Sequence, residues 1–550
     1  MPFLAKETVP IPTKDILSWA CEGPEYDQDA PLYIDAANPS TTLSARQTKS
    51  LIRQLIAGFR AAGLQEGETV LVHSFNSIYY PVIVLGIIGA GCIYTGTNPS
   101  YTPAELEHAI RASDAKFILS EPELLPALQV AAKHLRLPND RIRILDSTSR
   151  AEQTSSAALE YAPWRTLLSH GSRDWSPFDD EQTSRTTTAM LCFSSGTTGL
   201  PKAAQISHYN LVAQHTLAFE HNPRPYQLNR LVFLPMFHIS TAPMCHTSPL
   251  RAGHAQFVMR RWDVDAVLDR VPALGITDLV LVPPMVAALV AHPMPAAQKQ
   301  ARLRGLRWVI AGAAPLDRDL QARCQQLLPR GVLSQIWAMT ETTCLASAFP
   351  YGEADDTGSV GRFLPGLDVK LLDDAAVDVT AYGVRGELAI RGPSVFRGYL
   401  GVPPSRDFDA EGYFRTGDMV WGDAATGKWY VVDRLKELIK VRGFQVAPAE
   451  LEGVLLSHPG LLDAAVVGVP SPETGSEMPR AYVVRKANAD GERVSAGDVE
   501  RWVEGRLARY KRLEGGVRFV GAGEIPKTAS GKIKKREMRE WVRREMGSKL

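Results

Sequence analysis

A dense group of polar residues directly follows an apolar segment in the first half of the chain. Residues 186–193 (TTTAMLCF) are β-branched and apolar enough to predict a buried strand, and residues 194–202 read SSGTTGLPK. The glycines let successive N–H groups turn toward one centre, the hydroxyls add donors, and the lysine adds a cation. We call residues 194–202 the phosphate loop, because this donor set suits a polyphosphate. Its predicted ligand-binding residues are Ser194, Ser195, Gly196, Thr197, Thr198, Gly199 and Lys202.

The composition of the phosphate loop also fits a surface turn with a solvated lysine. An ordinary P-loop NTPase is not expected, because Lys202 is followed by Ala203 rather than by Ser or Thr and the glycine spacing differs from the Walker pattern. The loop alone therefore leaves both a polyphosphate site and a polar turn open.

The composition is that of a globular protein with more than one domain. A chain of 550 residues is too long for one core, and 45% hydrophobic with 22% charged residues is not the balance of a disordered chain. Lys and Arg (61) nearly balance Asp and Glu (60), so a net charge of +1 provides no global field to attract nucleic acid.

Cysteine and histidine spacing argues against structural metal or disulfides. The six cysteines lie far apart without a CxxC pair, so we expect neither a disulfide framework nor a zinc site, and we expect a reducing compartment. The spacing of His238, Cys245, His246 and His254 fits no zinc pattern.

Three stretches bear on where the protein is located. Residues 1–15 (MPFLAKETVPIPTKD) lack the apolar core of a signal peptide, so secretion is not expected. The most apolar stretch, residues 80–94, is short and broken by glycine, which favours a buried core element over a transmembrane segment. The tripeptide Ser548-Lys549-Leu550 matches the address that the peroxisomal import receptor reads, so we expect a peroxisomal protein.

Strand-like runs alternate with helical patterns through roughly the first 350 residues, which predicts an α/β architecture with largely parallel sheets. Short strands with glycine-rich turns predict a small β subdomain at about 355–432, and a compact α+β pattern follows it. We expect a large N-terminal domain at 1–434 and a small C-terminal domain at 435–550. The clearest strand-like runs are residues 69–73, 116–119, 231–234, 279–282 and 308–310.

Residues 532–544 (KIKKREMREWVRR) predict a basic helix near the end of the chain. Its charges fit either a solvated face or a phosphate-rich ligand nearby.

Four further stretches accompany the phosphate loop in a fixed order. They are residues 335–343 (QIWAMTETT), 413–420 (YFRTGDMV), 432–452 (VDRLKELIKVRGFQVAPAELE) and 526–536 (PKTASGKIKKR). Together with the loop they resemble the adenylate-forming superfamily of acyl-CoA synthetases, 4-coumarate-CoA ligases, firefly luciferases and adenylation domains. The resemblance covers nearly the whole chain and is closest to the branch of coumarate ligases and luciferases.

The resemblance implies a ligase that uses ATP, Mg²⁺ and CoA. A carboxylate attacks the α-phosphate of ATP to give acyl-AMP and pyrophosphate, and a thiol then displaces AMP. Glu341 is expected to bind Mg²⁺ between phosphate oxygens, and Thr340 to bond the α-phosphate. Lys532 is expected to bridge the acyl carboxylate and the α-phosphate.

The resemblance also implies how the nucleoside is bound. Trp337 stands where the family usually has a tyrosine stacked on adenine, and an ordinary core tryptophan is the alternative. Asp418 would accept both ribose hydroxyls, and Arg434 would donate to the same nucleotide. Gln335 joins these residues as a predicted ATP-binding side chain.

The small C-terminal domain is expected to rotate between the two half-reactions about a hinge near Lys436. Lys440, Gly443 and Gln445 lie beyond this hinge and are expected to serve the CoA step.

The acyl pocket is expected to be mainly apolar and to take an apolar or aromatic acid. Ile336 and Ala338 replace glycines that flank the family's aromatic residue, and Ile336 would narrow the acyl channel. Plant coumarate ligases have an aromatic residue at the position of Ser240, which argues against hydroxycinnamate. The predicted lining residues are His238, Ser240, Val282, Gly312, Ala313, Ala314 and Ile336.

Several functions share these motifs. An acyl-CoA ligase is the first interpretation, and the alternatives are a freestanding adenylation enzyme that loads a carrier-protein thiol and a luciferase-like oxygenase. A nucleotide-binding sensor without chemistry would be expected to lose Lys532 or Glu341 first, and both are present.

Overall fold

The computed structural model describes residues 3–5, 7–23, 25–146, 160–194, 201–314, 316–434, 437–441, 444–470, 477–507, 509–528 and 531–547. Within these ranges the chain is a mixed α/β protein with largely parallel sheets, which confirms the predicted fold class. None of the helices in these ranges is both long and apolar enough to cross a membrane.

The first large sheet has seven strands, and only the strand at one edge runs antiparallel to its neighbour. The predicted strand at 69–73 is confirmed as Thr69–His73, whose residues are all buried because both faces of a parallel sheet are covered. In spatial order the strands are Ala162–Pro163, Ile142–Ile144, Ala115–Ser120, Thr69–His73, Ile93–Thr97, Thr188–Ser194 and Lys202–Ser207.

The second large sheet also has seven strands, six of them in a parallel block that supplies most of the candidate site. Its carboxyl edge carries residues 312–314 and 336–341, because the chain leaves strands at that edge. In spatial order the strands are Val332–Gln335, Trp308–Ala311, Asp278–Leu281, Asn229–Val232, Ala255–Val258, Pro31–Asp35 and Thr42–Ser44.

The strand predicted at 231–234 is wrong at its end, since the observed strand is Asn229–Val232. The Asn76 amide donates to the Leu234 carbonyl at 2.9 Å and accepts from the Met236 N–H at 2.8 Å. The Asn76 side chain, from a distant loop, thus makes the hydrogen bonds that the backbone of a longer strand would make with a neighbouring strand.

Helices cover the faces of both large sheets. The apolar stretch at 80–94 forms the buried helix Tyr80–Gly89 and the strand Ile93–Thr97, as expected for a core element. Two π-helical segments adjoin α-helices: Thr216–Glu220 continues the helix that ends at His215, and Pro243–Thr247 leads into the helix that begins at Ser248. The other α-helices before residue 330 are Ile16–Cys21, Ala45–Ala61, Pro103–Ser113, Leu125–Leu135, Glu181–Thr186, His208–His215, Ser248–Ala252, Val264–Ala273, Pro283–Ala291, Ala296–Leu303 and Arg318–Gln325.

A four-stranded antiparallel sheet follows the second large sheet. Two short antiparallel pairs precede it, Ala338–Met339 with Cys344–Leu345 and Ser347–Ala348 with Arg362–Phe363. Its strands are Asp368–Leu372, Gly386–Arg391, Phe414–Gly422 and Trp429–Arg434.

The last part of the chain has a core of its own, which includes Leu451, Val466, Val483 and Val499. A hairpin of Ile439–Val441 and Phe444–Val446 leads into a three-stranded sheet. The sheet strands are Leu461–Pro470, Glu477–Arg485 and Val517–Phe519, and the helices are Pro448–Leu456, Ala489–Glu492, Ala496–Glu504 and Lys535–Gly547.

The basic helix predicted from residue 532 begins three residues later, at Lys535. Ile533 pairs with Lys527 in an isolated bridge, and the Thr528 N–H donates to the Lys532 carbonyl at 2.8 Å. Lys532 therefore lies in a tight turn rather than on the helix.

Candidate active site

The two ends of the phosphate loop lie opposite each other. Ser194 ends the strand Thr188–Ser194, Lys202 begins the strand Lys202–Ser207, and the two residues pair across these strands. The loop thus leaves the carboxyl end of a strand in a largely parallel sheet, where α/β proteins commonly bind ligands. The predicted ligand-binding residues Ser195, Gly196, Thr197, Thr198 and Gly199 lie outside the described residues.

Glu341 lies beside this strand end, in the short 3₁₀ turn Thr340–Thr342. Its side chain is buried, and its Oε1 atom accepts a hydrogen bond from Ser194 Oγ at 2.5 Å. The hydroxyl of Tyr399 donates to the same oxygen. Thr340, the predicted α-phosphate contact, is also buried in this turn. The structure therefore brings Ser194, Thr340 and Glu341 together.

Lys202 lies between a carboxylate and an aromatic ring. Its Nζ atom is 3.9 Å from Asp407 Oδ1 and 4.5 Å from the centroid of the Tyr399 ring. The Lys202 side chain is 25% exposed, so it is partly buried.

Tyr399 is a residue of this site that the sequence analysis did not identify. Burial and the neighbouring Glu341 charge raise the pKa of its hydroxyl well above the ordinary tyrosine value, so the phenol is protonated and donates. A tyrosine after a glycine-rich turn carries no local signal of what it will contact.

Trp337 and Asp418 form a buried pair. The indole Nε1 of Trp337 donates to Asp418 Oδ2 at 2.8 Å, and Phe363 packs edge-on against the indole. Asp418 also pairs in register with Arg434, whose side chain lies outside the described residues. Trp337 thus contacts Asp418, the residue predicted to bind the ribose. The sequence predicted only an aromatic surface for adenine at Trp337, not this hydrogen bond.

Gln335 is buried, and its amide makes its hydrogen bonds with protein groups. Its Oε1 accepts from the Leu316 N–H at 3.2 Å, and its Nε2 donates to the Leu316 carbonyl at 3.3 Å and to Gln321 Oε1 at 2.7 Å. Gln335 therefore holds the end of the loop that contains Gly312, Ala313 and Ala314. That a nucleotide also contacts Gln335 stays a prediction.

The predicted acyl-pocket residues fall in two groups. Val282 follows the strand Asp278–Leu281, and Gly312 follows the neighbouring strand Trp308–Ala311. A Cβ atom on Gly312 would lie 3.0 Å from Ile336 Cγ1, so Ile336 packs directly on this loop. Ala313 has a φ of +73°, a left-handed conformation that strains a residue with a Cβ.

His238 and Ser240 form the second group. The Nδ1 atom of His238 accepts from the Ser240 N–H at 3.1 Å and lies 2.9 Å from Ser240 Oγ. Because an N–H donates to Nδ1, the proton of the neutral ring is on Nε2. Burial lowers the pKa of His238 to about 4, which keeps the ring neutral at physiological pH.

The small C-terminal domain packs on this edge through Gly531, the residue before Lys532. A Cβ atom on Gly531 would lie 2.8 Å from Pro284 Cγ, at the start of the helix Pro283–Ala291 that follows Val282. The Ala449 N–H also donates to Asp433 Oδ2 at 3.2 Å. The backbone turn that carries Lys532 is thus adjacent to a predicted wall of the acyl pocket.

Two of the three predicted CoA-step residues lie on the hairpin after the expected hinge. Lys440 and Gln445 are backbone partners across it. Their side chains, and the residues Lys436 and Gly443, lie outside what the structure describes. In the described ranges, no group of three or more His, Cys, Asp or Glu side chains could hold a metal ion.

Family models and curated relatives match nearly the whole chain. The AMP-binding enzyme model matches residues 21–400, and the AMP-binding enzyme C-terminal domain model matches residues 450–532. Phenylacetyl-CoA ligase epaB of Aspergillus niger is 47% identical over 537 residues, which cover 97% of this chain and 98% of the relative. Nicotinic acid-CoA ligase olcI of Penicillium canescens is 36% identical over 537 residues, with 94% and 96% coverage.

Solved structures share the fold at lower identity. ATP-bound MatB from Rhodopseudomonas palustris is 24% identical with a TM-score of 0.81, covering 96% of this chain and 98% of that one. The anthranilate CoA ligase AuaEII in complex with anthranoyl-AMP is 20% identical with a TM-score of 0.83, covering 97% and 98%. The motifs, the family models and the relatives agree, and the chain belongs to the AMP-binding enzyme family of adenylate-forming proteins.

Proposed function

We propose that the protein is an ATP-dependent acyl-CoA ligase that activates an aromatic or apolar carboxylic acid as an acyl-adenylate and transfers the acyl group to CoA. The convergence of Ser194, Lys202 and Glu341 at the base of the phosphate loop carries the proposal. The relatives epaB and olcI, both named as acid-CoA ligases, support the same reaction class.

In the first half-reaction, the triphosphate of ATP would lie on the phosphate loop and the ribose at Asp418. Lys202 binds the β- and γ-phosphates that leave as pyrophosphate, because its ammonium lies at the end of that loop. Lys532 approaches from the small domain and bridges the acyl carboxylate and the α-phosphate, which offsets the negative charge of two anions that meet.

We further propose that Mg²⁺ accompanies the nucleotide, with Glu341 as its protein ligand. Two hydroxyls donate to Oε1 of this buried carboxylate, and no described residue donates to Oε2. One carboxylate with substrate phosphates is a common way to hold Mg²⁺. When bound, the ion would supply positive charge to the pyrophosphate as it leaves.

The second half-reaction needs a different surface of the small domain. We propose that this domain rotates about Lys436 and presents Lys440, Gly443 and Gln445 to the thiol of CoA. Because Lys440 and Gln445 are partners on one hairpin, a single rotation would deliver both.

The acid itself is proposed to be a small aromatic monocarboxylic acid. The relatives epaB and olcI are named for phenylacetic and nicotinic acids, which both contain one six-membered ring. Ile336 packs on the loop that contains Gly312 and so limits the depth of the proposed acyl pocket. A shallow pocket favours a single-ring acid over a long-chain fatty acid.

A screen of carboxylic acids by ATP–pyrophosphate exchange tests the proposal. Acids that support exchange are then incubated with ATP, Mg²⁺ and CoA, and the acyl-CoA is identified by mass spectrometry. Exchange together with acyl-CoA formation supports the ligase. Exchange without acyl-CoA would favour the carrier-protein alternative, oxygen consumption would favour the oxygenase, and no exchange with any acid would contradict the proposal.

A further inference from the structure

The segment around Tyr399 connects two parts of the phosphate site that are distant in sequence. The Phe396 N–H donates to the Glu341 carbonyl at 2.8 Å, and the Leu400 N–H donates to the Ala203 carbonyl at 2.9 Å. Backbone hydrogen bonds on both sides of Tyr399 therefore fix its position relative to Glu341 and to the residue after Lys202.

The hydroxyl of Tyr399 limits how the Glu341 carboxylate can turn. It donates to Oε1, the same oxygen that accepts from Ser194 Oγ at 2.5 Å. Both Tyr399 and Glu341 are buried, so water competes little for these bonds. With Oε1 held by two donors, Oε2 is the oxygen that remains for a ligand.

The ring of Tyr399 supports the other charged group of the site. The Lys202 ammonium lies 4.5 Å from the ring centroid, within the range of a cation–π contact. Asp407 is 3.9 Å from the same ammonium, which is long for a hydrogen-bonded ion pair. The ring therefore holds the Lys202 ammonium without a tight ion pair that a phosphate would have to break.

We propose that Tyr399 is a positioning residue of the phosphate site, which orients the Glu341 carboxylate through its hydroxyl and supports the Lys202 ammonium through its ring. The inference rests on the proposed ATP-dependent function and deepens it. The hydroxyl of Tyr399 would thus raise the affinity for ATP only when Mg²⁺ is bound. The ring would raise it with or without Mg²⁺.

Two variants separate these contributions. Tyr399→Phe keeps the ring under Lys202 and removes the hydroxyl from Glu341, whereas Tyr399→Leu removes both. Tyr413→Phe is the matched control, because Tyr413 is also buried, with Lys370 4.2 Å and Arg391 4.5 Å from its ring centroid, while its hydroxyl has no hydrogen-bond partner among the described residues.

The measurement is calorimetric binding of ATP to the whole protein without acid, once in EDTA and once in excess Mg²⁺. The dissociation constant in EDTA divided by that in Mg²⁺ reports how strongly metal and nucleotide binding are coupled. We expect Tyr399→Phe to reduce this ratio about fivefold or more and to leave the dissociation constant in EDTA within about twofold of wild type. Tyr399→Leu should also weaken ATP binding in EDTA by roughly two- to fivefold.

The control should match the wild type in both conditions. An unchanged ratio in Tyr399→Phe, or equal weakening by Tyr399→Phe and Tyr413→Phe, would overturn the inference, because neither pattern depends on the bond to Glu341. A wild-type protein that binds no ATP in either condition would instead overturn the proposed function, and this inference with it.

Discussion

The indole nitrogen of Trp337 donates a hydrogen bond to Asp418 Oδ2 at 2.8 Å, and both side chains are more than nine-tenths buried. The aromatic residue predicted to face adenine therefore also fixes the carboxylate predicted to bind ribose. A bond to a buried carboxylate is worth about 1.5–3 kcal/mol, which is enough to set the orientation of the acceptor.

Trp337→Phe should keep an aromatic plane and remove this donor. We expect the KM for ATP to rise on the order of tenfold, and the preference for ATP over 2′-deoxy- and 3′-deoxy-ATP to fall, because Asp418 Oδ2 loses the indole donor that orients it. Pyrophosphate exchange with the three nucleotides measures both effects. A rise in KM with unchanged ribose preference would assign Trp337 to adenine stacking alone.

Glu341→Ala and Lys202→Ala should both weaken the handling of ATP–Mg²⁺ and slow adenylation, since each removes a charged group from the triphosphate site. A loss on the order of 10² in pyrophosphate exchange is expected for each variant. Lys116→Ala serves as control, because Lys116 is an exposed lysine paired with Asp114. Pyrophosphate exchange at the wild-type rate in both site variants would show that Glu341 and Lys202 do not bind the triphosphate.

The sequence could predict those parts of the site whose residues stand in contiguous stretches. Lys202, Glu341, Trp337 and Asp418 each lie in a segment that resembles the family. In the structure Lys202 and Glu341 both contact Tyr399, and Trp337 donates to Asp418. Tyr399 was not predicted, since its contacts arise only when its segment pairs with Ala203 and Glu341.

The fold shows the same division between local and distant determinants. Thr69–His73 was predicted correctly because an apolar run buried on both faces carries its own signal. The strand end at Val232 was missed because it depends on Asn76, which lies 158 residues from Leu234. The helix expected from residue 532 begins at Lys535 because Ile533 pairs with Lys527 instead.

Acid should destabilise the protein through its buried histidines. Burial lowers the pKa of His208 to about 4 from 6.5, and its Nδ1 accepts from the Ile16 N–H at 3.0 Å. A group whose pKa is lower in the folded state stabilises the fold above its unfolded pKa, and this contribution is lost as the pH falls from 6.5 toward 4. The loss is about 1.4 kcal/mol at pH 5.5 for one such group.

Thermal unfolding at pH 7.5 and pH 5.5 measures this effect. His208→Gln should show a smaller drop in melting temperature between the two pH values than wild type, because the glutamine does not titrate. His134→Gln, at a histidine with 61% side-chain exposure, is the control and should show the wild-type drop. An equal drop in all three proteins would contradict the role of His208.

The tripeptide Ser548-Lys549-Leu550 is proposed to direct the protein to peroxisomes. We expect a fluorescent protein fused ahead of the chain, so that the fusion ends in these residues, to appear in peroxisomes. A fusion without the tripeptide should stay in the cytosol. Identical distributions of the two fusions would show that the tripeptide carries no address here.

Lys532 and Lys440 should separate the two half-reactions. Lys532 lies in the turn that follows Gly531, and Gly531 packs against Pro284 at the edge of the predicted acyl pocket, whereas Lys440 lies on the hairpin beyond the expected hinge. Lys532→Ala should lose on the order of 10² or more in pyrophosphate exchange, because it removes a positioned charge from the meeting of carboxylate and α-phosphate.

The thiol step should show the reverse pattern. Supplied with synthetic acyl-AMP and CoA, Lys532→Ala should still form thioester, because the lysine would have rotated away with the small domain. Lys440→Ala should keep most pyrophosphate exchange and slow thioester formation from acyl-AMP. If both variants fail equally in both assays, the small domain does not present two separate surfaces, and these lysines act through stability or general nucleotide binding instead.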